Sequence, residues 1–249
     1  MADLAATLGL ARSLVIYYGQ PWRRRALRRF YAGIVRPGDL VFDIGAHVGS
    51  RSRTLAALGA QVVAVEPQPR CAEVIARTLE GPRVRLVRKA VGRAPGEITL
   101  HVSRRHPTVT TTRGEWIAEV GATEGFRGVR WDQEITVPMT TLDALIAAHG
   151  RPGFCKIDVE GAEAEILAGL SQPLPWIAFE VLPAARGVAR ACVDRLEELG
   201  RYRFNLVRGE SHRFDAGDWV DAGTMRRQIA ALTEADGSGD VYARLDPQR

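Results

Sequence analysis

The sequence is poor in lysine, and arginine carries almost all of its positive charge. Of the 34 basic residues only Lys89 and Lys156 are lysines, which leaves 32 arginines. We attribute this bias, together with the many alanines and glycines, to base composition rather than to a nucleic-acid partner. The net charge of +5 is therefore weak evidence for nucleic-acid binding.

Cysteines are few, and long apolar runs are absent. Cys71, Cys155 and Cys192 are widely spaced and odd in number, which fits neither a disulfide framework nor a zinc motif. No apolar stretch has the length of a transmembrane helix. Asp3 and Arg12 interrupt the N-terminal stretch, where a signal peptide would be apolar. We therefore expect a cytoplasmic protein that does not enter a membrane.

The composition is that of a globular domain. A chain of 249 residues with 46% hydrophobic and 25% charged residues can form one α/β domain. We predict an N-terminal helical extension over 1–37 and a single domain over 38–249. Helical spacing in the extension gives two apolar stripes with a break at 19–21. The stripes are Leu4, Leu8, Ala11, Val15 and Tyr18, and Trp22, Ala26, Leu27, Phe30, Tyr31 and Ile34.

Arginines occupy the side of the second helix opposite its apolar stripe. We interpret them as a solvated face of a helix whose other side packs on the domain. A surface for an anionic substrate, a membrane or a nucleic acid is the alternative. These residues are Arg23, Arg24, Arg25, Arg28 and Arg29.

The stretch 40–53, LVFDIGAHVGSRSR, organises the domain. It begins with a short apolar run, typical of a parallel strand that is covered on both faces, and continues through a glycine turn into a helix. Ligands of open α/β sheets bind outside the carboxyl ends of the strands. We therefore assign Asp43, Gly45, His47 and Gly49 to cofactor binding.

A second apolar strand, 62–65, ends at Glu66. Rossmann-like folds place an acid at this position against the ribose hydroxyls of a nucleotide. We predict that Glu66 binds the ribose of a nucleoside cofactor. A third strand, predicted at 84–91, should bring Ala90 near the adenine.

The glycine turn differs from a dinucleotide-binding loop. Such a loop has the pattern G-x-G-x-x-G and receives a pyrophosphate, whereas here Gly45 and Gly49 enclose Ala-His-Val and follow Asp43. A carboxylate repels phosphate but suits the ammonium and sulfonium groups of S-adenosylmethionine. We predict this cofactor; a purely structural strand-to-helix turn is the alternative for the glycines alone.

Further strands and helices alternate along the rest of the chain. Strand 154–159 sets Asp158 at the carboxyl edge, and strand 176–181 brings Glu180 to the same edge. Between them Glu160, Glu163 and Glu165 open a helix, where acids are favoured by the helix dipole. The remaining predicted helices are 69–80, 142–149, 188–199 and 224–232, and the remaining strands are 97–102, 135–139 and an antiparallel closing pair, 202–207 and 240–245.

The segment 103–132 has little regularity. Long connections inside a compact domain are commonly functional. Its run 107–112 is rich in hydroxyls, and Trp116, Phe126 and Trp131 follow. We expect these side chains to contribute to a pocket for the acceptor, with simple loop packing as the alternative.

If the methyl acceptor is a neutral hydroxyl, which is a poor nucleophile, its methylation requires a base or a metal ion. Asp158 is the first catalytic candidate, followed by Glu160 and Glu180. Their carboxylate oxygens would suit Mg²⁺. No histidine or further carboxylate lies at a sequence spacing that defines a metal site, so we predict a metal-independent reaction. Three histidines are further candidate bases: His47, His106 and His212.

Three stretches carry a family resemblance: VFDIGAHVG, VVAVEPQP and KIDVEGAEAEILAGL. They resemble the FkbM-type family of S-adenosylmethionine-dependent methyltransferases, and the similarity extends over 38–182. The resemblance implies a Rossmann-like class I methyltransferase fold, with a mostly parallel seven-strand sheet and helices on both faces. It also implies O-methylation of a small molecule such as a sugar or a polyketide-type natural product. His47 departs from the family, which more often has Asn there.

Three other functions compete with this interpretation. A nicotinamide-dependent oxidoreductase is disfavoured by the glycine turn and by the lack of a tyrosine four residues before Lys89 or Lys156. An RNA or other nucleic-acid methyltransferase would use the arginines of 23–29, but an Asn-Pro-Pro-aromatic segment is missing after the strand 154–159. In a non-catalytic nucleoside-binding module, Asp158 would only cap a helix. The sequence does not determine the oligomeric state.

Overall fold

The computed structural model describes residues 2–19, 21–121 and 123–246. Its strands are β1 Leu40–Ile44, β2 Gln61–Val65, β3 Val84–Val87, β4 Ala90–Val91, β5 Gly96–Val102, β6 Gln133–Thr140, β7 Phe154–Ile157, β8 Trp176–Val181, β9 Tyr202–Arg208 and β10 Gly239–Leu245. Seven of them form one sheet in the order β3-β2-β1-β7-β8-β10-β9. All neighbouring pairs are parallel except those of β10, which runs antiparallel to β8 and β9. The predicted mostly parallel seven-strand sheet is confirmed.

Helices cover both faces of this sheet, as predicted. Side chains alternate along β1, so that Val41 packs into one apolar cluster while Phe42 and Ile44 pack into the other. The helices are α1 Ala2–Tyr18, α2 Pro21–Tyr31, α3 Ser50–Ala57, α4 Pro69–Thr78, α5 Gly114–Val120, α6 Leu142–His149, α7 Glu163–Ala168, α8 Arg186–Leu199 and α9 Ala222–Ala231. The cluster around Val41 contains side chains of α2, α3 and α4, and the cluster around Phe42 and Ile44 contains side chains of α6 to α9.

The strand predicted at 84–91 is wrong in its extent. β3 ends at Val87, and two exposed charged residues, Arg88 and Lys89, lead the chain out of the main sheet. Ala90 and Val91 then form β4, which pairs with β6 in a second sheet of order β4-β6-β5. Ala90 and Val91 are buried in this second sheet. The stretch 84–91, predicted as one strand, therefore contributes to two different sheets.

The segment 103–132 is more ordered than the sequence indicates. It contains α5 and two 3₁₀ helices, Pro107–Val109 and Glu124–Phe126. The ring of Trp116 is fully buried and lies edge-on against Phe126 and Trp131, with ring centroids 5.3 and 6.2 Å apart. These aromatic side chains therefore hold the segment together, as the packing alternative predicts.

Helix α1 packs on the domain through its small residues rather than through its apolar stripe. Leu4, Leu8 and Val15 are 64, 61 and 69% exposed, whereas Ala6 and Ser13 are buried. The small residues allow a close approach of the helix to the segment 103–132. Leu4, Leu8 and Val15 of the predicted stripe consequently face outward, whereas Tyr18 contacts Val48 of the domain.

Helix α2 behaves as predicted. Leu27 and Phe30 pack on the core, Tyr31 is fully buried, and the side chains of arginines 24, 25, 28 and 29 are exposed. Gln20 and the side chains of Asp3, Trp22 and Arg23 lie outside the described residues. The division into an extension over 1–37 and a domain over 38–249 stays a prediction.

None of the helices in the described ranges combines the length and the apolar character needed to cross a bilayer.

Candidate active site

Two adjoining pockets open at the carboxyl edge of the sheet, where ligands of open α/β sheets bind. The walls of the first include Glu66 and Ala90. The walls of the second include Tyr17, Asp43 and Arg51. Residues that line both pockets are Gly45, His47, Thr108, Asp158 and Glu160.

The turn after β1 brings two strand ends together. Gly45 has a φ of +79°, in the left-handed region that favours glycine. A Cβ at this position would overlap the carbonyl oxygen of Asp158. Gly49 also has a φ of +79°, but it faces Leu79 and is not among the described residues that line the two pockets.

Three backbone amides of this turn donate hydrogen bonds to other groups of the protein. The amides of Gly45 and Ala46 donate to the carbonyl of Val65 at 2.9 and 3.1 Å. The amide of His47 donates to Glu66 Oε2 at 2.7 Å. These three amides are therefore not free to face a phosphate, as the amides of a pyrophosphate-binding loop must be.

Glu66 is a fixed carboxylate in the wall of the first pocket. Its Oε2 accepts from the amide of His47 at 2.7 Å, and its Oε1 accepts from the amide of Gln68 at 2.8 Å. Burial raises the pKa of Glu66 to about 7, although both amides act to lower it. The carboxylate is therefore held in place and titrates near neutral pH.

Asp43 lies in the second pocket and is 1% exposed. The hydroxyl of Ser52 donates to its Oδ2 at 2.5 Å. Burial raises the pKa of Asp43, while Ser52 and Arg51 act to lower it. The predicted proximity of Asp43, Glu66 and Asp158 at one edge is thus observed, but Asp43 and Glu66 face different pockets.

Asp158 lies between two cations. Arg51 approaches its Oδ2 at 2.9 Å and Lys156 Nζ approaches the same oxygen at 3.5 Å. Lys156 is fully buried and also contacts Asp240 at 2.9 Å. Burial raises the pKa of Asp158, but Lys156 and Arg51 outweigh it and leave the pKa below its usual value. Asp158 is therefore an ionised, paired carboxylate and a weak base.

Among the described residues, Glu160 and Glu180 have no paired cation of the kind that offsets the burial of Asp158. Within the described part of the chain, neither carboxylate has a hydrogen bond or an ion pair, and one oxygen of each lies within 4.8 Å of an oxygen of Asp158. Burial raises both pKa values well above the usual range, and neighbouring carboxylates raise them further. Glu163 is different, because its carboxylate accepts from the amides of Val159 and Gly161 and shapes the loop.

Three carboxylates at this distance offer oxygen ligands of the type that divalent cations take. Arg51 and Lys156 already neutralise Asp158, however, and reduce the attraction of the cluster for a cation. The prediction of a metal-independent reaction stays a prediction.

Of the candidate histidine bases, only His47 lines the pockets. Burial lowers its pKa to about 4, so its imidazole is neutral, and its Nε2 is buried and has no hydrogen-bond partner among the described residues. His106 precedes the 3₁₀ helix of 107–109, and His212 lies beside Glu210 in the loop after β9; neither is among the described residues that line the two pockets.

Sequence reasoning missed Arg51, Lys156 and Tyr17. Arg51 lies in the first turn of α3, directly after the glycine turn, and Lys156 lies two positions before Asp158, where side chains of a strand share a face. Both positions could have been inferred. Tyr17 has no such signal, because it reaches the site from a separate helix.

Known proteins resemble the chain over most of its length. Hexuronic acid methyltransferase AglP of Haloferax volcanii is 26% identical over 196 residues, which are 75% of this chain and 75% of AglP. The crystal structure of methyltransferase FkbM from Methylobacillus flagellatus is 14% identical, with a TM-score of 0.49; the match covers 87% of this chain but only 50% of that one. The O-methyltransferase from Bacillus cereus, solved in complex with SAH, is 14% identical over 98% of this chain and 90% of its own, with a TM-score of 0.46.

Residues 43–235 match the Methyltransferase FkbM domain. The matched region contains Glu66, Asp158, Glu160 and Glu180, and it begins after the two N-terminal helices. Since it comprises well over half of the chain, the chain belongs to the FkbM methyltransferase family.

Proposed function

We propose that the chain transfers a methyl group from S-adenosylmethionine to a hydroxyl oxygen of a small molecule, such as a sugar or a polyketide-type natural product. The observation that carries the proposal is a pair of unlike carboxylates in one pocket. Glu66 is fixed by two backbone amides, whereas Glu160 has neither a hydrogen bond nor an ion pair within the described residues. The first suits binding of a ribose, and the second suits proton transfer.

The site fits a nucleoside cofactor that carries no phosphate. Because the amides of the glycine turn are already bonded, a pyrophosphate would find few free donors, while Glu66 can accept from ribose hydroxyls. Ala90 presents a small side chain to the first pocket, where we place the adenine. Arg51 and Asp43 offer opposite charges in the second pocket for the carboxylate and the ammonium of the methionine portion. When bound, S-adenosylmethionine would supply a methyl group on a positively charged sulfur.

Glu160 is our candidate for the base that removes the proton of the acceptor hydroxyl. Its raised pKa makes it a stronger base than Asp158, whose pKa is lowered by Arg51 and Lys156. Glu180 lies next to it, with one oxygen of each carboxylate within 4.8 Å of the other. Asp158 would then hold the two cations in place. This order of candidates reverses the one that the sequence favours.

The affinity for S-adenosylhomocysteine is expected to fall as the pH drops below about 7, the pKa of Glu66. Only the ionised carboxylate accepts hydrogen bonds at both oxygens without a proton of its own, so the binding form is lost as the pH falls through this pKa. Calorimetric titrations between about pH 6 and about pH 8.5 measure the effect. Glu66→Gln should weaken binding roughly tenfold to a hundredfold at the upper pH and remove this pH dependence. A parent affinity that is independent of pH would show that Glu66 does not bind the cofactor.

A methyl-transfer screen tests the proposed reaction. The purified chain is incubated with S-adenosylmethionine that carries a deuterated methyl group and with methyl glucuronide, methyl glucoside, a hydroxylated polyketide and RNA. The likeness to a hexuronic acid methyltransferase makes the glucuronide the first choice. We expect an O-methylated small molecule, identified by mass spectrometry. Transfer to RNA alone would favour a nucleic-acid methyltransferase, and binding without any transfer would favour a non-catalytic module.

We also propose that the protein works in the cytoplasm. Its three cysteines are free and buried, which suits a reducing compartment.

A further inference from the structure

One wall of the second pocket comes from outside the region that matches the family. Tyr17, near the end of α1, lines this pocket together with Asp43 and Arg51, whereas the matched region begins at residue 43. The ring of Tyr17 lies edge-on against the imidazole of His47, with the ring centroids 5.4 Å apart. Helix α1 therefore contributes a side chain directly to the site.

Helix α1 is attached to the domain near its C-terminal end and at its middle. The hydroxyl of Tyr18 donates to the carbonyl of Val48 at 2.8 Å, and the guanidinium of Arg53 lies 5.1 Å from the centre of the Tyr18 ring. Further back along the helix, Gly9 packs so closely on the segment 103–132 that a Cβ would overlap the carbonyl oxygen of Arg104. These contacts fix the position of Tyr17 in the pocket.

The hydroxyl of Tyr17 is available to a ligand. It forms no hydrogen bond with any described residue, and burial raises its pKa to about 12, so it carries a proton at neutral pH. Among the charged groups around it, Arg51 has the largest effect on this pKa and lowers it. Arg51 contacts Asp158 through one nitrogen, which leaves further N–H donors of its guanidinium. A hydroxyl donor and a guanidinium in one pocket are suited to bind a carboxylate.

We infer that Tyr17 binds the cofactor by donating a hydrogen bond from its hydroxyl to the carboxylate of the methionine portion, beside Arg51. The inference rests on the proposed use of S-adenosylmethionine. It makes the N-terminal helix a part of the cofactor site, although this helix lies outside the matched domain.

Titrations with two nucleosides test the inference. S-adenosylhomocysteine has the amino-acid portion, and 5′-methylthioadenosine has the adenosine and the sulfur without it. Tyr17→Phe keeps the ring against His47 and removes only the hydroxyl. The variant should bind S-adenosylhomocysteine about tenfold more weakly than the parent, as expected for a lost charge-assisted hydrogen bond. Its affinity for 5′-methylthioadenosine should be unchanged.

Tyr202→Phe is the matched control, because it removes a tyrosine hydroxyl that is bonded to Leu174 and belongs to a residue that lines neither of the two pockets. This variant should leave the ratio of the two affinities unchanged. A Tyr17→Phe variant that binds both nucleosides like the parent, or that loses both equally, would overturn the inference. A parent that binds neither nucleoside would overturn the proposed cofactor as well. A selective loss in a chain that methylates none of the tested acceptors would support the inference and contradict only the proposed reaction.

Discussion

Glu160→Gln is expected to lower turnover by at least about a hundredfold, the usual lower scale of general-base contributions. The amide preserves the shape of the side chain but cannot take up the proton of the acceptor hydroxyl. The affinity for S-adenosylhomocysteine should stay close to that of the parent, because the proposed cofactor contacts are made by other residues: Glu66, Asp43, Arg51 and Tyr17. Single-turnover rates and calorimetric titrations on the same variant separate the two quantities.

The pH dependence of turnover provides a second test of Glu160. A base acts when it is deprotonated, so parent turnover should be lost as the pH falls through the raised pKa of this group, and this ionisation should be missing in the variant. Glu165→Gln is a matched control, since Glu165 lies on α7 and pairs with Arg93 on the surface at 3.2 Å. Equal turnover in the Glu160 and Glu165 variants would exclude Glu160 as the base.

Asp158→Asn is expected to destabilise the fold by about 3 kcal/mol, the cost of leaving charges in a mostly buried network without their partner. The Asp158 side chain is 18% exposed, and it is the partner that joins Arg51 to the fully buried Lys156. Lys156 keeps its contact with Asp240 in the variant, which limits the loss. The free energy of unfolding in urea measures the effect.

The control for Asp158 is an ion pair on the surface. Asp194→Asn breaks the exposed contact with Arg226, at 2.6 Å, and should change the stability by less than about 1 kcal/mol. The pKa of Asp158 is lowered in the folded state, so its contribution is present above about pH 4 and is lost as the pH falls through the folded pKa. A stability of the Asp158 variant equal to that of the parent would show that the network is not needed for folding.

The sequence predicts where the strands end and which acidic side chains lie at those ends. The sequence predicts that Glu66 and Asp158 lie at one edge, because each directly follows a strand and the carboxyl ends of parallel strands meet there; both residues line the first pocket. The glycine turn was also predicted, since a strand, a glycine and a helix follow one another within a few residues. These features depend on local patterns, which a sequence shows directly.

The charge state of the edge could not be predicted in the same way. Lys156 meets Asp240, 84 residues away, and only the folded strands bring them together. Without this network Asp158 and Glu160 look like equivalent carboxylates. Tyr17 of α1 contacts His47, and α1 approaches the domain through small residues. The apolar spacing of α1 predicts instead that Leu4, Leu8 and Val15 pack on the domain.

Binding of a phosphate-free nucleoside cofactor is the central claim, and calorimetry with two cofactors tests it directly. The parent chain should bind S-adenosylhomocysteine saturably at one site, because Glu66 can accept hydrogen bonds from its ribose hydroxyls. It should show no saturable binding of NAD, because the amides of Gly45, Ala46 and His47 are already bonded and cannot bind the pyrophosphate. Saturable binding of NAD, with none of S-adenosylhomocysteine, would contradict the account.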